Sequence, residues 1–353
     1  MESDLPKGRA LAVGLVDLQR ERFDPLRGVR GAALVLTPLV IGYALGLVEA
    51  GVLVTLGALN LLFIEAPAPS GTRWHVLAVG SVTNAAAFAA GTLLGRAPFQ
   101  VEAPMVGVAI FVAFLFTRWP EWENASFIGA VMFVFSVGIP VTTFAGETLR
   151  PLAILVGGLW ALLGVSLYRY GSSTGTRAEA PSPTEPGART GTKWATVGPH
   201  AAVVGVTVAI GLLVGTQLGL PRDYWIMLTI IVALRIDLAT TIAYSAARIL
   251  GTVAGASVAF VVTDATQDPW ILFPILGVAT ALCLATRGVN YTLYSIWVTL
   301  TVIVLLNLAY SGGPTLAVTR VIDTILGGSI AFLAAFALWA TTYRRPGNRS
   351  AVA

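Results

Sequence analysis

Tyr291-Thr-Leu-Tyr-Ser-Ile-Trp-Val-Thr-Leu-Thr-Val-Ile-Val-Leu-Leu-Asn-Leu-Ala309 is an apolar stretch without a single charge. As an α-helix rising 1.5 Å per residue it reaches about 28 Å, close to the ~30 Å of hydrocarbon in a bilayer. Further apolar blocks, roughly 15 to 24 residues long, recur from one end of the chain to the other. Hydrophobic residues make up 56% of the 353 and charged residues 11%, where a soluble globular domain carries about 25% charged residues. The mean hydropathy of +0.79 exceeds what an aqueous core requires. The fold class read from this is all-α: a polytopic membrane protein.

Twelve spans can be drawn. In the first half they are Val29–Val48, Gly51–Ile64, Val76–Gly95, Ala103–Thr117, Ala125–Phe144 and Pro151–Tyr168. In the second half they are His200–Gly219, Tyr224–Leu234, Thr241–Val262, Trp270–Thr286, Tyr291–Ala309 and Thr319–Ala340. The breaks between them carry Pro and Gly, as at Trp119-Pro120, Asp268-Pro269 and Ser311-Gly-Gly-Pro314. This divides the chain into an N-terminal segment (1–28), a first six-helix repeat (29–170), a Ser/Thr/Gly/Pro-rich flexible linker (171–195), a second six-helix repeat (196–343) and a tail (344–353). The N-terminal segment is charged and has no apolar run or cleavage site, so it does not read as a signal peptide. Leu11, Leu15 and Leu18 fall at helical spacing within Ala10–Phe23, so an interfacial helix and a plain unstructured segment are both open there.

Positive charge sets the orientation. With twelve spans, one side of the membrane receives 18 Arg and Lys and the other receives Arg96, Arg150, Arg222 and Arg320 only. By the positive-inside rule both termini are cytoplasmic, in a cell membrane. The net charge of +4 and pI near 9.4 therefore belong to topology, and no nucleic-acid partner is expected. The lipid bilayer is the one partner composition demands. A homo-oligomer is compatible with the sequence.

The chain also repeats itself. Ile41-Gly42 to Gly46 returns at Ile210-Gly211 to Gly215, and Gly91-Thr-Leu-Leu-Gly95 returns at Gly251-Thr-Val-Ala-Gly255. Arg150-Pro-Leu-Ala-Ile-Leu-Val-Gly-Gly returns 170 positions later as Arg320-Val-Ile-Asp-Thr-Ile-Leu-Gly-Gly. Each half holds an even number of spans, so the repeats run parallel, related by an axis along the membrane normal, with a pathway expected between them. Gly91, Gly95, Gly251, Gly255, Gly327 and Gly328 are the expected points of close helix packing.

Enzyme signatures are missing. Two histidines, His75 and His200, and one cysteine, Cys283, provide no metal cluster. There is no HExxH, no GxSxG and no phosphate loop in a strand–helix context, and no cofactor is expected. Cys283 sits in an apolar block as a small core residue and forbids an internal disulfide. What remains are polar groups in or beside the spans, where an ionisable side chain is costly and tends to face a cavity or a partner. Arg248, inside the ninth span, either faces a cytoplasmic vestibule that attracts an anion or snorkels to the headgroups. Asp323 lies one turn from Arg320, so the two form either a local salt bridge or a proton-exchanging carboxylate tuned by its neighbour. Arg235 and Asp237 flank a turn, Asp237 reading most simply as an N-cap. Asn290, with Asn60, Asn84 and Asn307, reads as an interhelical hydrogen-bonding group or a ligand contact. Arg248, Arg320, Asp323, Asp237, Arg235 and Asn290 are the candidate pathway residues.

The stretch Asp223-Tyr-Trp-Ile-Met-Leu-Thr-Ile-Ile-Val-Ala-Leu-Arg-Ile-Asp237, followed by Arg248-Ile-Leu-Gly-Thr-Val-Ala-Gly-Ala256, resembles the second-half core of the fusaric acid resistance (FUSC) family of aromatic acid exporters. Arg287-Gly-Val-Asn-Tyr291, Thr299 and the Arg320-Val-Ile-Asp-Thr-Ile-Leu-Gly-Gly run resemble the same family over roughly Pro199 to Ala340. The resemblance implies export of aromatic or other organic acids across the bacterial inner membrane, driven by protons. Related plant malate channels conduct anions passively. Many members carry a substantial cytoplasmic domain where this chain has a linker of about 23 residues.

Overall fold

The computed structural model describes residues 18–65, 74–138, 149–173, 194–310 and 312–343. Most of the linker, the C-terminal tail and most of the Ala10–Phe23 segment lie outside them. Among the described residues there are twelve α-helices, two three-residue 3₁₀ turns and no strand. The helices are α1 Pro25–Ala44, α2 Val48–Ile64, α3 Trp74–Leu94, α4 Phe99–Leu115, α5 Glu123–Val137 and α6 Leu149–Ser173. They continue with α7 Trp194–Gln217, α8 Tyr224–Ala233, α9 Leu238–Ala265, α10 Pro269–Thr286, α11 Tyr291–Tyr310 and α12 Gly313–Tyr343. Nine of them are long and apolar enough to cross a membrane; α2, α5 and α8 are shorter apolar helices.

The caps explain several boundaries. α1 starts at Pro25, four residues before the apolar run, because Asp24 accepts a hydrogen bond from the Arg27 amide (2.9 Å) and proline fits the first helical position. Charged Arg27 and Arg30 thus lie within the helix. Asp237 caps α9 by accepting from the Thr240 amide (2.7 Å), and Asn290 caps α11 by accepting from that of Leu293 (3.1 Å). Upstream, Arg20–Arg22 form a 3₁₀ turn, and the Gln19 and Asp24 amides donate to the Val289 and Ala285 carbonyls, tying this segment to the α10–α11 turn.

The packing has a pattern. α1 packs on α2, α2 on α6, and α3 on both α5 and α6. The same relations join α7 to α8, α8 to α12, and α9 to both α11 and α12. Across the halves, α1 packs along α10 and α4 along α7. Glycine permits the closest of these approaches. A Cβ on Gly91 or Gly95 would meet the α5 backbone at Phe133 and Val137, and one on Gly251 or Gly255 would meet α11 at Thr292 and Ile296. Gly327 abuts Ile226 and Thr229 of α8, and Gly328 abuts Ile249 of α9.

α8 is unusual. At 1.5 Å per residue its ten residues cover about 15 Å, half the hydrocarbon thickness. It is buried at Tyr224, Trp225, Ile226, Met227, Thr229, Ile230, Ile231 and Ala233, so it is a central strut without a lipid face. Its last turn gives way to extended backbone at Leu234 (ψ 113°) before Asp237 starts α9.

Candidate functional site: a cationic cavity between the halves

A cavity of about 840 Å³ opens between the two halves. Its walls come from both halves of the chain: Leu56, Asn60 and Phe63 on α2 and Phe127 to Phe135 on α5, with Trp225 and Leu228 on α8 and Tyr291 to Leu306 on α11. The α8–α9 break contributes Arg235 and Asp237, α9 contributes Tyr244 and Arg248, and α12 contributes Arg320. Arg287, at the end of α10, and His200, on α7, add to the polar lining. His200 packs edge-on against Phe114, which shares that wall (ring centroids 6.0 Å).

The ionisable groups on this wall are unequal in number and in engagement. Four arginines face it, against the carboxylates of Glu123 and Asp237. Asp237 is occupied in capping α9, accepting from both the Thr240 amide and its hydroxyl. Arg248 is buried. Its Nη1 donates to Ser295 Oγ at a long 3.4 Å, and its Nε has no partner. The Arg320 guanidinium lies 5.0 Å from the Trp225 ring, a cation–π contact, while its Nη1 has no hydrogen-bond partner. Arg235 stacks over Tyr244 at 4.2 Å, and Tyr244 meets Tyr291 (ring centroids 4.7 Å). Cations with spare donors therefore stand among aromatic rings, a lining that can hold an anion with an aromatic or apolar body.

Arg287 is held differently. It donates to the Glu65 carbonyl (3.2 Å) and marginally to that of Leu62 (3.5 Å). Arg27 donates to the same two carbonyls. Glu65, itself buried, pairs through its side chain with Arg30 (2.6 Å) and Arg169 (3.2 Å). Four arginines from α1, α6 and α10 thus close on the C-terminus of α2, where the helix dipole favours positive charge.

Of the six residues read from the sequence, Arg235, Asp237, Arg248 and Arg320 line the cavity. Asp323 is fully buried behind that wall, and Asn290 is spent on its cap. Arg320 and Asp323 make no salt bridge: both carboxylate oxygens lack a hydrogen-bond partner. Asn60 donates to Leu56 O (2.7 Å) and Met132 Sδ (2.8 Å), the latter on α5, and Asn307 donates to Gln267 (2.9 Å). Sequence reasoning did not assign Arg287, His200 or the aromatic wall to the site. Arg287 was visible as part of a motif, but nothing in the spacing of Phe127, Tyr244 or Tyr294 distinguishes a cavity-facing ring from a core one. No group of three or more His, Cys, Asp or Glu able to hold a metal occurs among the described residues.

Residues 203–334 match the family model described as "Fusaric acid resistance protein-like". The resemblance carried by the α8, α9 and α12 motifs holds for this half: the chain is a multi-pass helical membrane protein with a FUSC-like second half. Among curated proteins it is similar to the uncharacterized protein YhfK of Escherichia coli (28% identical over 140 residues) and to the uncharacterized protein ORF2 of Neisseria gonorrhoeae (31% over 144). It is also similar to the inner membrane protein YccS of Escherichia coli (29% over 143). Each match covers 40% of this chain, and 20%, 34% and 19% of those proteins respectively. No solved structure matches.

Proposed function

We propose that this chain is a secondary transporter of the inner membrane that exports aromatic or other organic acids as anions through the cavity between its halves. The observation that carries the reading is the lining itself: Arg235, Arg248 and Arg320 stand among aromatic rings in a space of about 840 Å³, within the range of small-molecule sites. Arg248 and Arg320 keep donors unused by the protein. A solid scaffold whose charges only set topology would have no reason to build such a cavity.

The rest of the architecture belongs to this proposal. All twelve helices cross the membrane, the short α8 as a half-span completed by its extended end, and both termini are cytoplasmic. The halves are parallel repeats about an axis along the membrane normal, which accounts for the paired packing relations and the matching cavity walls. An anion then meets equivalent helices from both halves but unequal charges, since all four cavity arginines, Arg235, Arg248, Arg287 and Arg320, come from the second half.

The test is flux. Proteoliposomes preloaded with a labelled aromatic carboxylate such as benzoate should release it saturably, with release lost or strongly reduced in Arg248→Ala. Equal flux in the wild type and that variant removes Arg248 from the pathway, and no flux from the wild type for any carboxylate overturns the transporter reading. Currents that reverse at the anion's Nernst potential without a proton gradient would instead assign a passive anion channel.

A further inference from the structure

Asp323 is 0% exposed, and neither of its oxygens has a hydrogen-bond partner. An ionised carboxylate in such a place lacks the donors that normally compensate lost hydration, whereas the protonated acid demands far less. One turn earlier on the same face of α12, Arg320 is 4% exposed, lines the cavity and has an unpartnered Nη1. The two side chains are within reach of each other along the helix, yet they are not joined.

The first half shows the alternative. Arg150 occupies the position 170 residues before Arg320, and Ala153 the position before Asp323. Arg150 is buried and paired with Glu49 of α2 (3.2 Å). Its charge is met by a fixed partner on another helix, and it does not line the cavity. Arg320 has instead a nearby carboxylate that does not hold it. The repeat therefore contains one committed arginine and one that can change partner.

We propose that Asp323 is a proton-binding site that controls whether Arg320 is available to an anion in the cavity. With the proton on, the guanidinium faces the cavity, as it does here. With the proton off, it turns back to the carboxylate one turn away. This rests on the anion-site reading above and adds the control of that site.

The charged surroundings are consistent with such an exchange. From its own helix and the α7–α8 connection, Asp323 is within electrostatic reach of Arg320, Asp223 and Arg222. Arg248 from α9, Tyr224 from α8 and Tyr291 from α11 act on Arg320. The one ionisable residue of α7, His200, lies near the other end of that helix, on the cavity wall. Asp223, which precedes α8, accepts a hydrogen bond from the Thr216 hydroxyl at Oδ2 (3.2 Å). Burial raises the Asp223 carboxyl above its ordinary range, partly offset by the hydrogen bonds from Thr216 and the Tyr224 amide.

The sign of the linkage follows. An anion that takes Arg320 removes the charge that favours ionised Asp323, so anion binding takes up a proton. Affinity should then fall as pH rises through the Asp323 titration. Calorimetric titration of purified protein with benzoate, in buffers of different ionisation enthalpy, counts those protons. Wild type should take up close to one proton per anion within that pH window. Asp323→Asn should take up none and keep the wild type's low-pH affinity at every pH. Proton uptake in Asp323→Asn equal to wild type overturns the proposal. An infrared pH titration of the ligand-free protein decides the proton site without transport or anion binding. A buried carboxyl band that titrates in wild type and is missing from Asp323→Asn supports it; identical spectra reject it. Should that variant not fold, Arg320→Gln replaces it. Its benzoate affinity should lose the pH dependence while the carboxyl band remains, and a pH dependence unchanged from wild type again rejects the proposal.

Discussion

An arginine inside an apolar fold either finds acceptors or keeps donors for something else, and both conditions occur here. Arg27 and Arg287 donate to carbonyls at the end of α2, while Glu65 pairs with Arg30 and Arg169. Arg248 has only a long contact to Ser295 and a bare Nε. The two kinds should fail differently. Glu65→Gln removes the carboxylate charge from two ion pairs and leaves converging cations uncompensated. We expect a loss of about 3 kcal/mol, the usual scale for breaking a buried pair, read as a lower thermal midpoint in detergent. Arg248→Ala should leave that midpoint within a few degrees of wild type but weaken carboxylate binding roughly 10- to 100-fold, the scale of one or two charge-assisted hydrogen bonds. A wild-type affinity in Arg248→Ala, or a collapse of its stability, would reverse the two roles. Arg248 and Arg320 were legible in the sequence because an ionisable residue inside an apolar run is conspicuous. The Glu65 cluster was not, because charges at span ends look the same whether they set topology or close on a helix C-terminus.

At the scale of elements, the sequence shows helices well and their depth poorly. Each of the twelve apolar blocks holds a helix, since helix length and apolar content are local properties. α8 shows where this stops: its ten residues are apolar on every face, and nothing local tells a half-length central strut from a truncated span. The glycine pairs lie between these cases. Their spacing marks a close contact but not the partner helix, which the structure supplies as α5 for Gly91 and Gly95, and α11 for Gly251 and Gly255. The Gly255 seam can be tested directly. A Cβ there would run into the Ile296 carbonyl and lie 3.0 Å from Thr299 Cβ, and neighbouring backbone cannot yield as a flexible side-chain tip can. We expect Gly255→Val to lose most folded protein from the membrane fraction. Gly129→Ala on α5, whose nearest neighbour would be Asn84 Oδ1 at 3.9 Å, should express and elute like wild type. Equal recovery of both variants would mean that α9 and α11 do not pack as closely as described.

For the whole molecule, the decisive relations join the halves. α1 packs along α10 as well as on α2, and α4 packs chiefly along α7, so two helices of each half pack along two of the other. The Gln19 and Asp24 amides add backbone bonds to the α10–α11 turn. This interlock could not be read from the repeat, because a repeated sequence is equally compatible with two self-contained bundles side by side. The two arrangements differ in what a half can do alone. Self-contained bundles would fold separately, whereas interlocked halves leave α1 and α4, or α7 and α10, with bare packing faces when separated. Residues 174–193 lie between α6 and α7, so a cut there leaves every described helix intact. We expect the two fragments to co-purify at one-to-one stoichiometry when co-expressed and to recover carboxylate binding, since the cavity wall needs α2 and α5 from one and α8 and α11 from the other. Expressed singly, each should be degraded or aggregate. A single half that accumulates as a monodisperse species would show that the contacts between halves are dispensable for folding.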